Sequence, residues 1–512
     1  MNRKGVFLML ILFLIFTCSG CNNKNDNNIG SDVTQTIDSS PTSTPTIEES
    51  VVPTPTPEPT PTPTVVPTPT PTIEEDIIDY ENSIFASPTG NGDGTFEKPY
   101  SLEDGIKNIS YKKTLYLMGG TYYPSSVIKL NNSGMKDKYI NIYAYKDEMV
   151  ILDYGFDYTK NPTINGNYNT SKCRGITVNG SYYHIKGITI TRANAQGMVV
   201  AGDYNIVENC VFSYNGNSGC TIAGSSSETI DEWPHDNLIK NCTSYGNYDW
   251  DRTDGNQGED ADGFGAKLTS GYNNVFDGCI AYNNSDDGWD LFTKHKTGKI
   301  GSVTIKNSVA FSNGYSLEGV ELKNGQGFKL GGRAIEVDHT VTNCVAFYNK
   351  SNGFDDNSNP GTITITNCIS YKNGSRNYAM GRFLDKTNTY TSTWYEGDTL
   401  YGPIENVPKS HNIYENCISY LGGITDAYSG EATNCYFYNT NNSYAVFNQS
   451  SLCNSKYNAG LSTVGYNPFV STEIDLSDLD NIHYNYRNKD YTVNLNSFLE
   501  IKSNLNIGAN LN

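Results

Sequence analysis

Apolar and polar positions recur through most of this chain in one fixed order, and cysteine marks the frame. Aligned on it, Asn209-Cys210, Asn241-Cys242, Asn343-Cys344, Asn367-Cys368, Asn416-Cys417 and Asn434-Cys435 share an Asn-Cys pair, with Gly278-Cys279 and Asn307-Ser308 as variants. Three residues on stands an aromatic, at Tyr245, Tyr282, Phe311, Phe347, Tyr371, Tyr420 and Tyr438. Five residues on stands an asparagine, at Asn215, Asn247, Asn284, Asn313, Asn349 and Asn373. Successive cysteine positions lie 32, 37, 29, 36, 24, 49 and 18 residues apart, as when a short constant coil carries loops of variable length. The pattern predicts an all-β solenoid, a right-handed parallel β-helix, in which each coil lies over the last at about 4.8 Å and like side chains stack on like. Cysteines and aromatics are expected to face inward and the asparagines to bond along the stack, with the cysteines as buried free thiols rather than disulfides. Ser101-Leu102-Glu103-Asp104-Gly105-Ile106 reads as a short helix capping the open N-terminal end.

Composition agrees with this class. The 512 residues hold 48 Gly and 38 Tyr, with only 18% charged, which suits strands and turns better than helices. A net charge of −19 excludes a nucleic-acid binder that works through a basic surface.

The N-terminus has a different grammar. Arg3 and Lys4 precede an eleven-residue apolar run, Val6–Phe16, and then Thr17-Cys18-Ser19-Gly20-Cys21, the order of a signal peptide. Small residues before Cys21 predict a bacterial lipoprotein site with Cys21 lipidated, so residues 1–21 are assigned to the signal segment. The run is too short for the roughly 20 residues of a spanning helix, so membrane contact is expected only through that anchor. Residues 22–79, with a Thr-Pro alternation, read as an extended spacer, and 80–512 as the folded β-helix domain. The protein is expected to be exported, extracellular or held at the cell surface, and to act as a monomer.

Chemistry concentrates where the repeat carries a Gly followed by an apolar residue: Gly219-Cys220, Gly263-Phe264, Gly288-Trp289, Gly327-Phe328 and Gly353-Phe354. Setting these glycines in register puts Ser218, Asp262, Asp287, Gln326 and Asn352 in one column. Gly265, Asp290, Lys329 and Asp355 fall in another, which strand alternation turns outward if the apolar residue faces in. Asp262, Asp286, Asp287, Asp290 and Lys329 then lie on three successive coils, within roughly 10 Å along the axis. A lone Asp-Gly is an ordinary turn pair, but a turn accounts for neither Asp286 and Asp290 nor a lysine one coil on. An all-oxygen cluster of this charge suits Ca²⁺. Lys267 and Arg333 are candidates to pair with carboxylates of a substrate, and Trp289 reads as a core residue.

The blocks Asp260-Ala261-Asp262-Gly263-Phe264-Gly265-Ala266-Lys267-Leu268, Asp286-Asp287-Gly288-Trp289-Asp290-Leu291-Phe292 and Gly327-Phe328-Lys329-Leu330-Gly331-Gly332 closely resemble the pectate lyases of polysaccharide lyase family 9. The resemblance extends from about Ile84 to the C-terminus. It implies a right-handed parallel β-helix, Ca²⁺ held by Asp262, Asp286, Asp287 and Asp290, and Lys329 as the base. It also implies polygalacturonate (pectate) as substrate, cleaved by β-elimination to 4,5-unsaturated oligogalacturonides. Two other readings stay open on the repeat alone. One is a glycoside hydrolase of polygalacturonate with paired aspartates; the other is a surface adhesin whose Ca²⁺ only stiffens the coils.

Overall fold

The structure, a computed structural model, describes residues 78–146, 148–156, 174–249, 256–381, 389–408, 410–438, 444–453, 467–503 and 507–511. The signal segment, Cys21 and nearly all of the 22–79 spacer lie outside the described residues. Short strands one coil apart pair in parallel along the whole described body, as a right-handed parallel β-helix. One ladder runs Ile176–Val178, Met198–Val200, Cys220–Ile222, Phe264–Ala266, Trp289–Asp290, Phe328–Lys329, Phe354–Asp355 and Tyr378–Met380. Its register pairs Cys220, Phe264, Trp289, Phe328 and Phe354 in turn, as the glycine alignment predicts, and continues to Tyr378.

The Asn-Cys pair has a backbone reason. Asn209, Asn241, Asn307, Asn343, Asn367, Asn416 and Asn434 all take φ between 47° and 53°, a left-handed corner that asparagine tolerates, and Gly278 replaces them at φ 67°. The next residue turns inward, so Cys210, Cys242, Cys279, Cys344, Cys368, Cys417 and Cys435 form a buried column of free thiols. The asparagines five on form a ladder. Nδ2 of Asn215 donates to Oδ1 of Asn247 at 3.0 Å, and the same bond repeats through Asn284, Asn313, Asn349, Asn373 and Asn377 at 2.8–3.0 Å.

The aromatics three residues past cysteine differ from expectation. An odd offset on a strand reverses the side chain, so Tyr245, Tyr282, Phe311 and Phe347 stack on the outer face, with centroids 4.8–4.9 Å apart and planes within 5°. They stay dry because the last described stretch, 467–503 and 507–511, adds no coil and lies over them with Phe469, Ile482, Phe498 and Leu499. The inward aromatic stack is the one after glycine: Phe264, Trp289, Phe328, Phe354 and Tyr378, with centroids 4.8–5.1 Å apart. Trp289 is a core residue, fully buried. At the N-terminal end, helix Leu102–Lys107 is capped by Ser101, whose hydroxyl oxygen accepts from the Asp104 amide at 3.1 Å. Leu102 and Ile106 close the coil interior over Leu117, Ile142 and Ile185.

Candidate active site

Three rungs of the Gly-apolar ladder build the site. Gly265, Asp290, Lys329 and Asp355 are direct neighbours across successive coils, so backbone register alone stacks Asp290 against Lys329. The column before the glycines brings in Asp262 and Asp287, which are fixed by the ladder itself. The Ser218 hydroxyl donates to Asp262 Oδ2 at 3.0 Å, and the Gln326 amide donates to Asp287 Oδ1 at 2.8 Å. Asp290 Oδ1 accepts from the Phe292 amide at 3.0 Å. Oxygens of Asp262, Asp287 and Asp290 lie within 4.8 Å of one another. Asp286 is buried beside them, and neither of its carboxylate oxygens finds a hydrogen-bond donor.

Two lysines share this space. Lys329 Nζ lies 3.0 Å from Asp287 Oδ2 and 3.5 Å from Asp290 Oδ1. Lys267 Nζ lies 2.5 Å from Asp262 Oδ2 and 3.0 Å from Asp290 Oδ2. Lys267, a candidate for pairing with substrate carboxylates, thus has its ammonium on the aspartates of the cluster. Gly265, two residues before Lys267, is the Asp290 neighbour in the ladder, so the Lys267 stem starts beside that rung. Arg333, four residues past Lys329, packs its guanidinium between the rings of Trp394 and Phe292, at 4.8 and 5.7 Å. Lys329 Nζ stands 5.6 Å from the same Phe292 ring, so one aromatic edge joins both cations.

The electrostatics are those of a site one divalent charge short of neutrality. With all four carboxylates ionised, the two ammoniums would leave two negative charges in a region that is almost wholly buried, and burial acts against that charge. Burial first, then the neighbouring aspartates, pushes Asp262 up to about 7 against the pull of Lys267, and burial and Asp287 push Asp286 far up. Asp287 is raised for the same reason, whereas Asp290, although buried, is held low by Lys267 and Lys329. Burial alone would lower Lys329, but Asp287 and Asp290 outweigh it and hold its ammonium well above the ordinary range. The donor set is all oxygen, and the orphaned Asp286 oxygens await a cation that no described side chain supplies. These residues fit Ca²⁺.

Sequence columns located five of these groups. They did not locate the Lys267 ion pairs, or the Trp394–Phe292 clamp on Arg333, whose partners are far apart in the chain and outside the repeat.

Fold and site together define a parallel β-helix protein with a buried aspartate–lysine cluster on the outer face of one ladder. Residues 84–389 match the family described as "Pel9A-like, right handed beta helix region", and the chain belongs to that family. Pectate lyase L of Paenibacillus polymyxa (strain SC2) is 40% identical over 306 residues, 58% of this chain and 65% of that protein. Pectate lyase L of Thermoclostridium stercorarium is 39% identical over 291 residues, 55% of this chain and 22% of that protein. The crystal structure of pectate lyase Pel9A superposes with a TM-score of 0.59 at 29% identity, covering 82% of this chain and 89% of that one. The matches to the two pectate lyases L thus span less than two thirds of those proteins.

Proposed function

We propose that this chain is a Ca²⁺-dependent pectate lyase that cleaves polygalacturonate by β-elimination, leaving a 4,5-unsaturated uronide end. The observation that carries the reading is the stacking of Asp290 directly on Lys329 within the cluster of Asp262, Asp287 and Asp290. Relatives named as pectate lyases support it.

Asp262, Asp286, Asp287 and Asp290 would hold the ion. Bound there, Ca²⁺ supplies a bridge to the uronate carboxylate and Lewis-acid stabilisation of the charge that develops when the C5 proton leaves. The remaining steps belong to the chain. Lys329 takes the C5 proton on Nζ, which requires the neutral amine, and the C4 oxygen departs as the C4–C5 double bond forms. In the ion-free geometry Asp287 and Asp290 hold that amine protonated, so engaging those carboxylates elsewhere is what frees it. Lys267 restrains Asp262 and Asp290 rather than contacting substrate, and Arg333, clamped by Trp394, presents its charge to a neighbouring uronate.

Incubation with polygalacturonate tests the reading: elimination produces a conjugated product absorbing in the ultraviolet, whereas hydrolysis or passive binding would produce none. Export and lipidation at Cys21 would hold the enzyme at a bacterial cell surface. Membrane partition of the full-length protein, lost in Cys21→Ala, checks this.

A further inference from the structure

The outward column that carries Asp290 and Lys329 continues towards the N-terminal coils through Gly265, Thr221, Val199 and Thr177. Beside these last three lies a cavity of about 400 Å³. Its polar lining is of mixed sign. Arg174 lies on one wall, with Gln196 and Asn179, and Glu228 stands on another. The guanidinium is oriented, since Arg174 Nε donates to Gln196 Oε1 at 3.3 Å and Gln196 is held in turn by donating to Asn217 Oδ1 at 3.0 Å. Among the described residues the guanidinium of Arg174 bonds to Gln196, which is neutral, whereas Lys267 and Lys329 are neutralised by aspartates. Glu228 Oε2 accepts from the Ser225 amide at 2.9 Å, which fixes one acid among the lining residues.

We propose that this cavity is a distal subsite for one uronate residue of the polymer whose scission occurs at Lys329, with Arg174 taking the carboxylate and Gln196 and Asn179 the hydroxyls. This rests on the lyase reading above and adds to it a determinant of chain-length preference. A lining with one guanidinium and one fixed carboxylate suits a singly charged sugar and disfavours densely charged anions such as phosphates. Thr221, Val199 and Thr177 stand three to five rungs from Lys329, or about 14–24 Å at the spacing of paired strands. A hexuronate chain laid along the ladder advances by about one residue per rung at that spacing, so only oligomers extending several residues beyond the scissile bond reach the cavity.

Initial rates of unsaturated-product formation on galacturonate oligomers of increasing length separate the possibilities. Arg174→Ala should lower kcat/KM about tenfold on polygalacturonate, as expected for loss of one charge-assisted hydrogen bond, and by less than about twofold on the shortest oligomer cleaved. Arg174→Lys should recover part of the loss. Ala223→Tyr, which narrows the cavity from another wall without touching Arg174, should reproduce the same length dependence should Arg174→Ala fold poorly. Wild-type rates on long chains in both variants, or equal losses at every length, would overturn the subsite while leaving the lyase reading intact. A wild-type protein that forms no unsaturated product from any length would instead overturn the lyase reading, and this proposal with it.

Discussion

Two buried polar columns run along the same coils of this β-helix, and they are built on opposite principles. From Asn215 to Asn377, each carboxamide donates to the next and accepts from the one before. Stacking like on like satisfies every member, because a carboxamide is donor and acceptor at once. Around Asp262, Asp287 and Asp290 the same translation crowds groups that only accept when ionised, and Asp286 beside them has no donor at either oxygen. A solenoid therefore stabilises amides by repetition and frustrates carboxylates by it. The first column holds coils together; the second is poised to take a cation and a polyanion.

The comparison can be broken first at the base. Lys329→Ala should lower the elimination rate by about a thousandfold, within the range for loss of a general base, while Ca²⁺ binding persists and the asparagine ladder keeps the fold. Lys329→Arg should fail as well, since guanidinium stays protonated. A smaller and more diagnostic effect is expected at Asp286. Removing a buried carboxyl without a donor, which folding in chelator forces to take up a proton, should raise the melting temperature of Asp286→Asn above wild type in chelator, yet weaken Ca²⁺ affinity by about tenfold or more, so the order of stability reverses with saturating Ca²⁺. Differential scanning calorimetry with and without chelator checks both halves.

The ladder should respond in the reverse sense. Asn313→Ala breaks bonds to Asn284, Asn349 and the Ala281 carbonyl, and should cost about 1–3 kcal/mol of stability while activity per folded molecule is kept. A pH series sharpens the contrast. Asp262 is raised from its ordinary 3.8 to about 7 by burial, so its neutral form favours the ion-free fold. That contribution is full below about 3.8 and is lost as pH rises through about 7. Chelated wild type should lose stability across that window relative to Asp262→Asn, and Ca²⁺ should abolish the difference.

Much of this was legible in the chain because the repeat supplies its own ruler. The Gly-apolar positions set the register that brings Asp262, Asp287, Asp290 and Lys329 together, and the asparagine offset marked the ladder. What escaped depends on direction or on distance. The aromatics three past cysteine face outward by strand parity, and their cover, the stretch from Phe469 to Leu511, carries no repeat to announce it. Lys267 returns to the cluster through its long side chain, and a one-letter column does not record where such a side chain bends. Trp394, which clamps Arg333, lies 61 residues beyond it in a hairpin unrelated to the coils.

The most direct test of the central claim, that the frustrated aspartates await Ca²⁺ so that Lys329 can act, is the rate of unsaturated-product formation from polygalacturonate by exhaustively chelated protein before and after Ca²⁺ is restored. The account predicts no product in chelator, full recovery on adding Ca²⁺, and no recovery in Lys329→Ala. Full activity in chelator, or a Lys329→Ala protein that recovers with wild type, would contradict it.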